Sequence, residues 1–183
     1  MSVSATSLPG VLLIEPKQFH DSRGYFFEMF RESAYASAGM EGPWVQDNCS
    51  LSNHGVLRGL HFQWPNPQGK LVQALTGVIW DAAVDIREGS SSYGKWHGEI
   101  LNETNRRQLW IPGGFAHGFV VLSESALVQY KCTAYYDGAA DAGIRWDDPA
   151  LGIEWPLRDV TVSDKDAGLP LLNDLADARR PNF

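Results

Sequence analysis

An all-β domain, a sandwich or a barrel, is the fold class this sequence predicts, and three observations predict it. Two segments alternate strictly with period two, many further short apolar runs are separated by turn signals, and helical periodicity is sparse. In VIWDAAVDIR (78–87), Val78, Trp80, Ala82, Val84 and Ile86 share one strand face, while Ile79, Asp81, Ala83, Asp85 and Arg87 share the other. In ALVQYKCTAYY (126–136), Ala126, Val128, Tyr130 and Cys132 oppose Leu127, Gln129 and Lys131. Strands this short and this closely spaced do not leave room for βαβ units.

Taken in order, GVLLIEP (10–16) and RGYFFEMF (23–30) read as strands, with DSRG turning the chain ahead of the second. ESAYASAG (32–39) is a short helix with Gly39 available to cap its end. GVLRGLHFQ (55–63) and GKLVQAL (69–75) are strands separated by PNPQG, and REGSSSYG follows the first alternating strand. RQLWIP (107–112) and GFAHGFVVLS (114–123) come next, joined at PGG, and then the second alternating strand ending before YDGAADAG. The tail NDLADARRPNF has room for one more turn or frays. No repeat, linker or compositional break divides the chain, so residues 1–183 read as one domain.

The bulk numbers exclude several classes. A net charge of −7 over 183 residues argues against a nucleic-acid partner, although a few arginines can still hold an anion locally. No stretch approaches the ~20 apolar residues of a membrane span, and the first residues lack a signal peptide's basic and apolar regions, so the expected location is the cytoplasm. The two cysteines, Cys49 and Cys132, form no CxxC pair, and a disulfide is not expected. Seven tryptophans serve either packing or a stacking wall for a planar base. Abundant aromatics and strand edges make a homodimer the expected assembly.

Of the five histidines, His20, His54 and His97 lie in polar, turn-like surroundings and are expected at the surface. His61 and His117 each interrupt an apolar run, which suits either a satisfied core residue or an acid–base group in a cavity. No HxH pair occurs, and two isolated histidines are too few for a three-ligand metal site, so no metal is expected. There is no GxSxG elbow, no Walker or Rossmann glycine pattern and no activated cysteine, so no nucleophile and no bound cofactor is implied. Acid–base chemistry beside anion-binding arginines is what remains.

GVLRGLHFQ, GKLV, IPGGFAHGFVVLS and DKD (164–166), in that order, resemble the dTDP-4-dehydrorhamnose 3,5-epimerases, and the likeness runs from FHDSRGYFFEMF to SDKDAGLP. That resemblance implies a cupin-like jelly roll, also called a double-stranded β-helix, and a dTDP-4-keto-6-deoxyhexose substrate with no cofactor. By the same resemblance His61 is the proton acceptor, Asp166 the carboxylate that orients it in preference to Asp164, and Tyr130 the proton donor. It places Arg23, Glu28, Gln46, Asp47 and Asn48 around the nucleotide, Arg58, Lys70 and His117 around the diphosphate and sugar, and Lys165 as a further contact. The chain departs from the family at Phe62, where a tyrosine is usual, and at Asp141, where a glutamate contacts substrate. A mono-epimerase, a 3,4-ketoisomerase and a non-catalytic nucleotide-sugar binder are the alternatives.

Residue alternation puts one difficulty in view. On a straight strand Arg58 faces Leu60's side and His61 faces Gly59's, so a single pocket cannot receive both. A bend or bulge at Gly59 is therefore expected, or else Arg58 is contributed across a dimer interface. Asp81 and Asp85 face the same way, either as structurally paired carboxylates or, for one of them, as an orienter of His117.

Overall fold

A computed structural model describes residues 1–182; Phe183, the last residue of the predicted tail, lies outside the described residues. In chain order the elements are β1 (Ser2–Ala5), β2 (Leu12–Glu15), β3 (Gln18–Asp21), β4 (Gly24–Phe27), α1 (Glu32–Ala36), β5 (Gln46–Asn53), β6 (Leu57–Gln63) and β7 (Lys70–Thr76). There follow β8 (Val78–Asp85), β9 (Trp96–Asn102), β10 (Gln108–Ile111), β11 (Phe115–Val121), β12 (Ser125–Cys132), β13 (Asp141–Gly143) and α2 (Asp164–Ala167). Two antiparallel sheets result, β1-β2-β10-β7-β12-β5 and β13-β6-β11-β8-β9, with β3 and β4 forming a separate ribbon. This is the cupin-like jelly roll.

Inward-facing residues of the two sheets meet in one core. The first sheet supplies Val72, Ala74, Leu109, Ala126 and Val128, and the second supplies Ile79, Ala83, Leu101, Phe115, Phe119 and Val121. Each full-sized side chain so buried is worth about 1.5–3 kcal/mol. The alternation read in β8 is real, but both of its faces are buried. Asp81 points between the sheets, while Val84 and Ile86 lie under the C-terminal segment with Leu151, Leu172 and Leu175. That segment is therefore docked rather than frayed, with 3₁₀ turns at Leu172–Asp174 and Asp177–Arg179. Arg179 donates to the carbonyls of Trp64 and Ala139.

The outer face of the first sheet is covered by α1, through Tyr35, Met40, Leu71 and Trp110. The helix leaves through Gly39 at φ +86°, and the amides of Gly39 and Met40 bond to the carbonyls of Ala36 and Tyr35. That is the Schellman arrangement, with its apolar contact made by Met40 and Tyr35.

The tryptophans pack. Trp44 and Trp110 stack edgewise, Trp80 contacts Trp96 and Trp155, and Trp155 contacts Trp146. Cys49 is an exposed free thiol and Cys132 a buried one, whose pKa burial pushes up to about 11. His20 and His54 are exposed, whereas His97 is half-buried on β9 because it lies on a paired strand, its Nδ1 3.0 Å from Ser7 Oγ. Among the described residues, no helix is long and apolar enough to cross a membrane.

Candidate active site

Between the two sheets the core opens into two adjoining chambers. The inner one, about 170 Å³, is lined by Ser50, Arg58, His61, Lys70, His117, Phe119 and Tyr130. The outer one, about 330 Å³, shares His61, Lys70 and Tyr130 and adds Gln46, Asn48, Phe62, Gln68, Tyr136, Asp141 and Lys165.

Arg58 and His61 both reach the inner chamber because β6 is irregular between them. His117 on β11 pairs with His61 and Phe119 pairs with Arg58, so two steps on β11 face three on β6. The extra residue is a bulge, and it reverses the alternation that would otherwise separate the two side chains. Gly59 sits there at φ +123°, and a Cβ on it would lie 2.6 Å from Gly118 Cα and 2.7 Å from the His117 carbonyl oxygen. The expected bend at Gly59 is thus present.

The bulge also frees the Gly59 amide, which donates to Asp166 Oδ2 at 3.2 Å. Asp166 Oδ1 accepts from His61 Nε2 at 2.7 Å. A carboxylate can only accept, so Nε2 carries the ring proton of neutral His61, and the Nδ1 lone pair remains to take another. α2 positions this carboxylate: Ser163 caps the helix by accepting from the Asp166 amide at 3.1 Å, three residues on. Asp166 is buried while Asp164 is exposed. Burial pushes the Asp166 carboxyl up, but bonds from His61, Gly59 and Ser163 outweigh it and hold the pKa below the ordinary value.

Tyr130 stands on the facing sheet, on β12 between Asn48 of β5 and Val72 of β7. Burial raises its pKa, reinforced by Cys132 and opposed by nearby Arg58, so it is a phenol at neutral pH. Lys70, first on β7, is enclosed; burial lowers its pKa against the pull of Cys132, Asp141 and Asp81. Its Nζ donates to the His61 carbonyl at 3.4 Å. His117 Nε2 donates to the fully buried Asp81 at 2.8 Å, so this carboxylate orients the second histidine. Asp85 takes the structural role, accepting from Arg87, Ser90 and Ser92.

At the outer mouth Gln46 donates to Asn48 Oδ1 at 3.0 Å, and Lys165 pairs with Asp141 at 2.5 Å. Asp141 thus reaches the mouth despite its shorter side chain. Three expected contacts do not reach either chamber of their own chain. Asp47 lies between Gln46 and Asn48 on a regular strand and so faces outward, paired to Lys131 at 2.7 Å and to Gln129 at 2.7 Å. Arg23 is exposed on the β3–β4 ribbon, held by Asp21 at 2.6 Å, and Glu28 just beyond it pairs with Arg31 at 3.1 Å. Both lie in or beside a separate ribbon that shares no ladder with the sheets lining the site.

Sequence reasoning missed Ser52, whose Oγ accepts from Arg58 Nε at 2.9 Å and fixes the guanidinium. It also missed Ser50, Gln68 and Tyr136. The signal for the serines was present, because the same period of two that selects Gln46 and Asn48 selects Ser50 and Ser52 next. Among the described residues, no group of three His, Cys, Asp or Glu side chains could hold a metal ion.

Comparison with known proteins gives a consistent picture. Residues 5–174 match the family model for dTDP-4-dehydrorhamnose 3,5-epimerase. The chain is 52% identical to the dTDP-4-dehydrorhamnose 3,5-epimerase of Methanothermobacter thermautotrophicus over 164 residues, covering 88% of this chain and 89% of that protein. It is 50% identical to the enzyme of the same name from Salmonella typhimurium, covering 94% and 96%. Among solved structures, the dTDP-6-deoxy-D-glucose-3,5-epimerase of Legionella pneumophila in complex with dTDP-4-keto-L-rhamnose superposes with a TM-score of 0.97 at 47% identity, covering 100% and 98%.

Proposed function

The chain belongs to the dTDP-4-dehydrorhamnose 3,5-epimerase family, and we propose that the paired chambers are where its epimerisation takes place, with His61 as base and Tyr130 as acid. The protein is an isomerase of dTDP-rhamnose biosynthesis that inverts C3 and C5 of dTDP-4-dehydro-6-deoxy-D-glucose. Both carbons flank the C4 ketone, so loss of either proton gives an enolate. Inversion needs a base on one face of that enolate and an acid on the other.

The observation that carries this reading is the placement of His61 and Tyr130 on opposite sheets of the same gap. Nδ1 of His61 takes the C–H proton, and Asp166 stabilises the imidazolium without accepting that proton. Lys70, enclosed by the walls of the chamber, donates toward the oxyanion at C4. The Tyr130 phenol then protonates the carbon from the far side. His61 is left protonated and Tyr130 deprotonated; exchange with solvent resets both for the second carbon. Proton transfer accounts for the whole reaction, so the chemistry calls for no redox group or metal.

Arg58, held by Ser52, meets the diphosphate, with His117 beside it. Gln46, Asn48, Lys165 and Asp141 receive the remainder of the nucleotide sugar at the mouth. Arg23 and Glu28 fit this picture in a homodimer, where the ribbon of one protomer reaches the chamber of its partner. Exposure of Phe19, Tyr25, Phe26 and Met29 around that ribbon supports such an interface. A cytoplasmic location suits the nucleotide-sugar substrate.

Tyr130→Phe tests the division of labour. With His61 intact, C–H exchange with heavy water persists while net inversion falls by about 10²–10⁴-fold. Inversion at the wild-type rate in Tyr130→Phe would remove the phenol from the mechanism.

A further inference from the structure

β5 presents Gln46, Asn48, Ser50 and Ser52 on its inner face, each about 7 Å beyond the last. Gln46 and Asn48 line the outer chamber, and the Ser52 hydroxyl is taken by Arg58. Ser50 lies between them on the wall of the inner chamber, and its Oγ is buried with no hydrogen-bond partner among the described residues. We propose that Ser50 is a direct contact to the hexose of the substrate. This rests on the chambers being the epimerisation site.

A hydroxyl buried without a partner forfeits its hydration and gains nothing in return, so native proteins keep few of them. The four hydrogen-bonding groups that share the inner chamber with Ser50 and Tyr130 are Arg58, Lys70, His61 and His117. Their chemistry suits a diphosphate, an enolate oxygen and a migrating proton. A hexose also carries neutral hydroxyls, which need a short neutral group able both to donate and to accept, and Ser50 is that group. Its position is apt, because Asn48 pairs with Tyr130 and Ser50 with Val128, so Ser50 lies one inward step from the acid. With no bond to the protein, Ser50 cannot act by bracing a neighbour as Ser52 does.

Ser50→Ala in the full chain, assayed for turnover and for dTDP binding by calorimetry, tests this. The loss of one neutral hydrogen bond predicts a fall in kcat/KM of about fivefold to tenfold, with dTDP affinity unchanged because dTDP carries no hexose for Ser50 to contact. Ser50→Cys, similar in size but a weaker donor, falls between the two. An unchanged kcat/KM in Ser50→Ala overturns the proposal. So does a parallel loss of dTDP affinity, which would mean that β5 itself had moved. If His61→Asn, run alongside, kept full activity, the reading of the chambers would fail and the role of Ser50 with it. If His61→Asn is inactive and Ser50→Ala is unaffected, only the role of Ser50 fails.

Discussion

Gly59→Ala attacks the feature that brings Arg58 and His61 into one chamber. The added Cβ meets Gly118 Cα at 2.6 Å and the His117 carbonyl oxygen at 2.7 Å, both backbone atoms of the neighbouring strand that cannot rotate away. Its φ of +123° adds backbone strain of about 1–3 kcal/mol for any residue with a side chain. Overpacking adds about 1–3 kcal/mol more. A total near 4 kcal/mol lowers Tm by about 8–16 °C in a domain of this size. Relief of the clash must separate β6 from β11, which moves the His61 ring and withdraws the Gly59 amide from Asp166. A displacement of about 1 Å at the proposed base costs roughly 10²-fold in kcat. Thermal unfolding and steady-state kinetics on the same preparation measure both effects. A variant with the wild-type Tm and kcat would refute the claim that the bulge requires glycine and that the site requires the bulge.

Other substitutions probe separate parts of the account. Asp166→Asn keeps the shape but removes the charge that stabilises the imidazolium, so kcat falls by about 10³–10⁴-fold in a folded protein, read by kinetics with circular dichroism as the control. Ser52→Ala frees the Arg58 guanidinium and raises KM about tenfold with kcat little changed, and Ser52→Thr, which keeps the hydroxyl, restores it. Asp85, held at a pKa of about 2 by Arg87, Ser90 and Ser92 against its burial, contributes about 2 kcal/mol above pH ~4, which is lost as pH falls toward 2. Asp85→Asn therefore unfolds more readily at neutral pH, and its stability changes less between pH 4 and 2 in acid titration.

Much of this was legible in the sequence because strands report their own period. The faces of β8 and β12 can be assigned residue by residue, and the conflict between Arg58 and His61 locates the bulge from the sequence alone. The preference for Asp166 over Asp164 follows from the family resemblance alone, and the structure supplies its reason: Ser163 caps α2 through the Asp166 amide, with Asp166 buried and Asp164 exposed. Asp47 faces away from the chambers of its own chain, because a strand turns only alternate residues inward and Gln46 and Asn48 take that face. Arg23 and Glu28 lie on a ribbon whose docking is set by tertiary or quaternary contacts, which no local pattern encodes. The same limit hid the docking of Leu172 and Leu175, whose partners on β6 and β8 lie 88–115 positions earlier.

Solvent-isotope labelling of both carbons tests the central claim, that one base and one acid on facing sheets invert C3 and C5 in turn. In heavy water, the wild-type product is predicted to carry deuterium at C3 and at C5, and His61→Asn to incorporate none at either. Label at a single carbon of the wild-type product, or exchange that survives in His61→Asn, would contradict it.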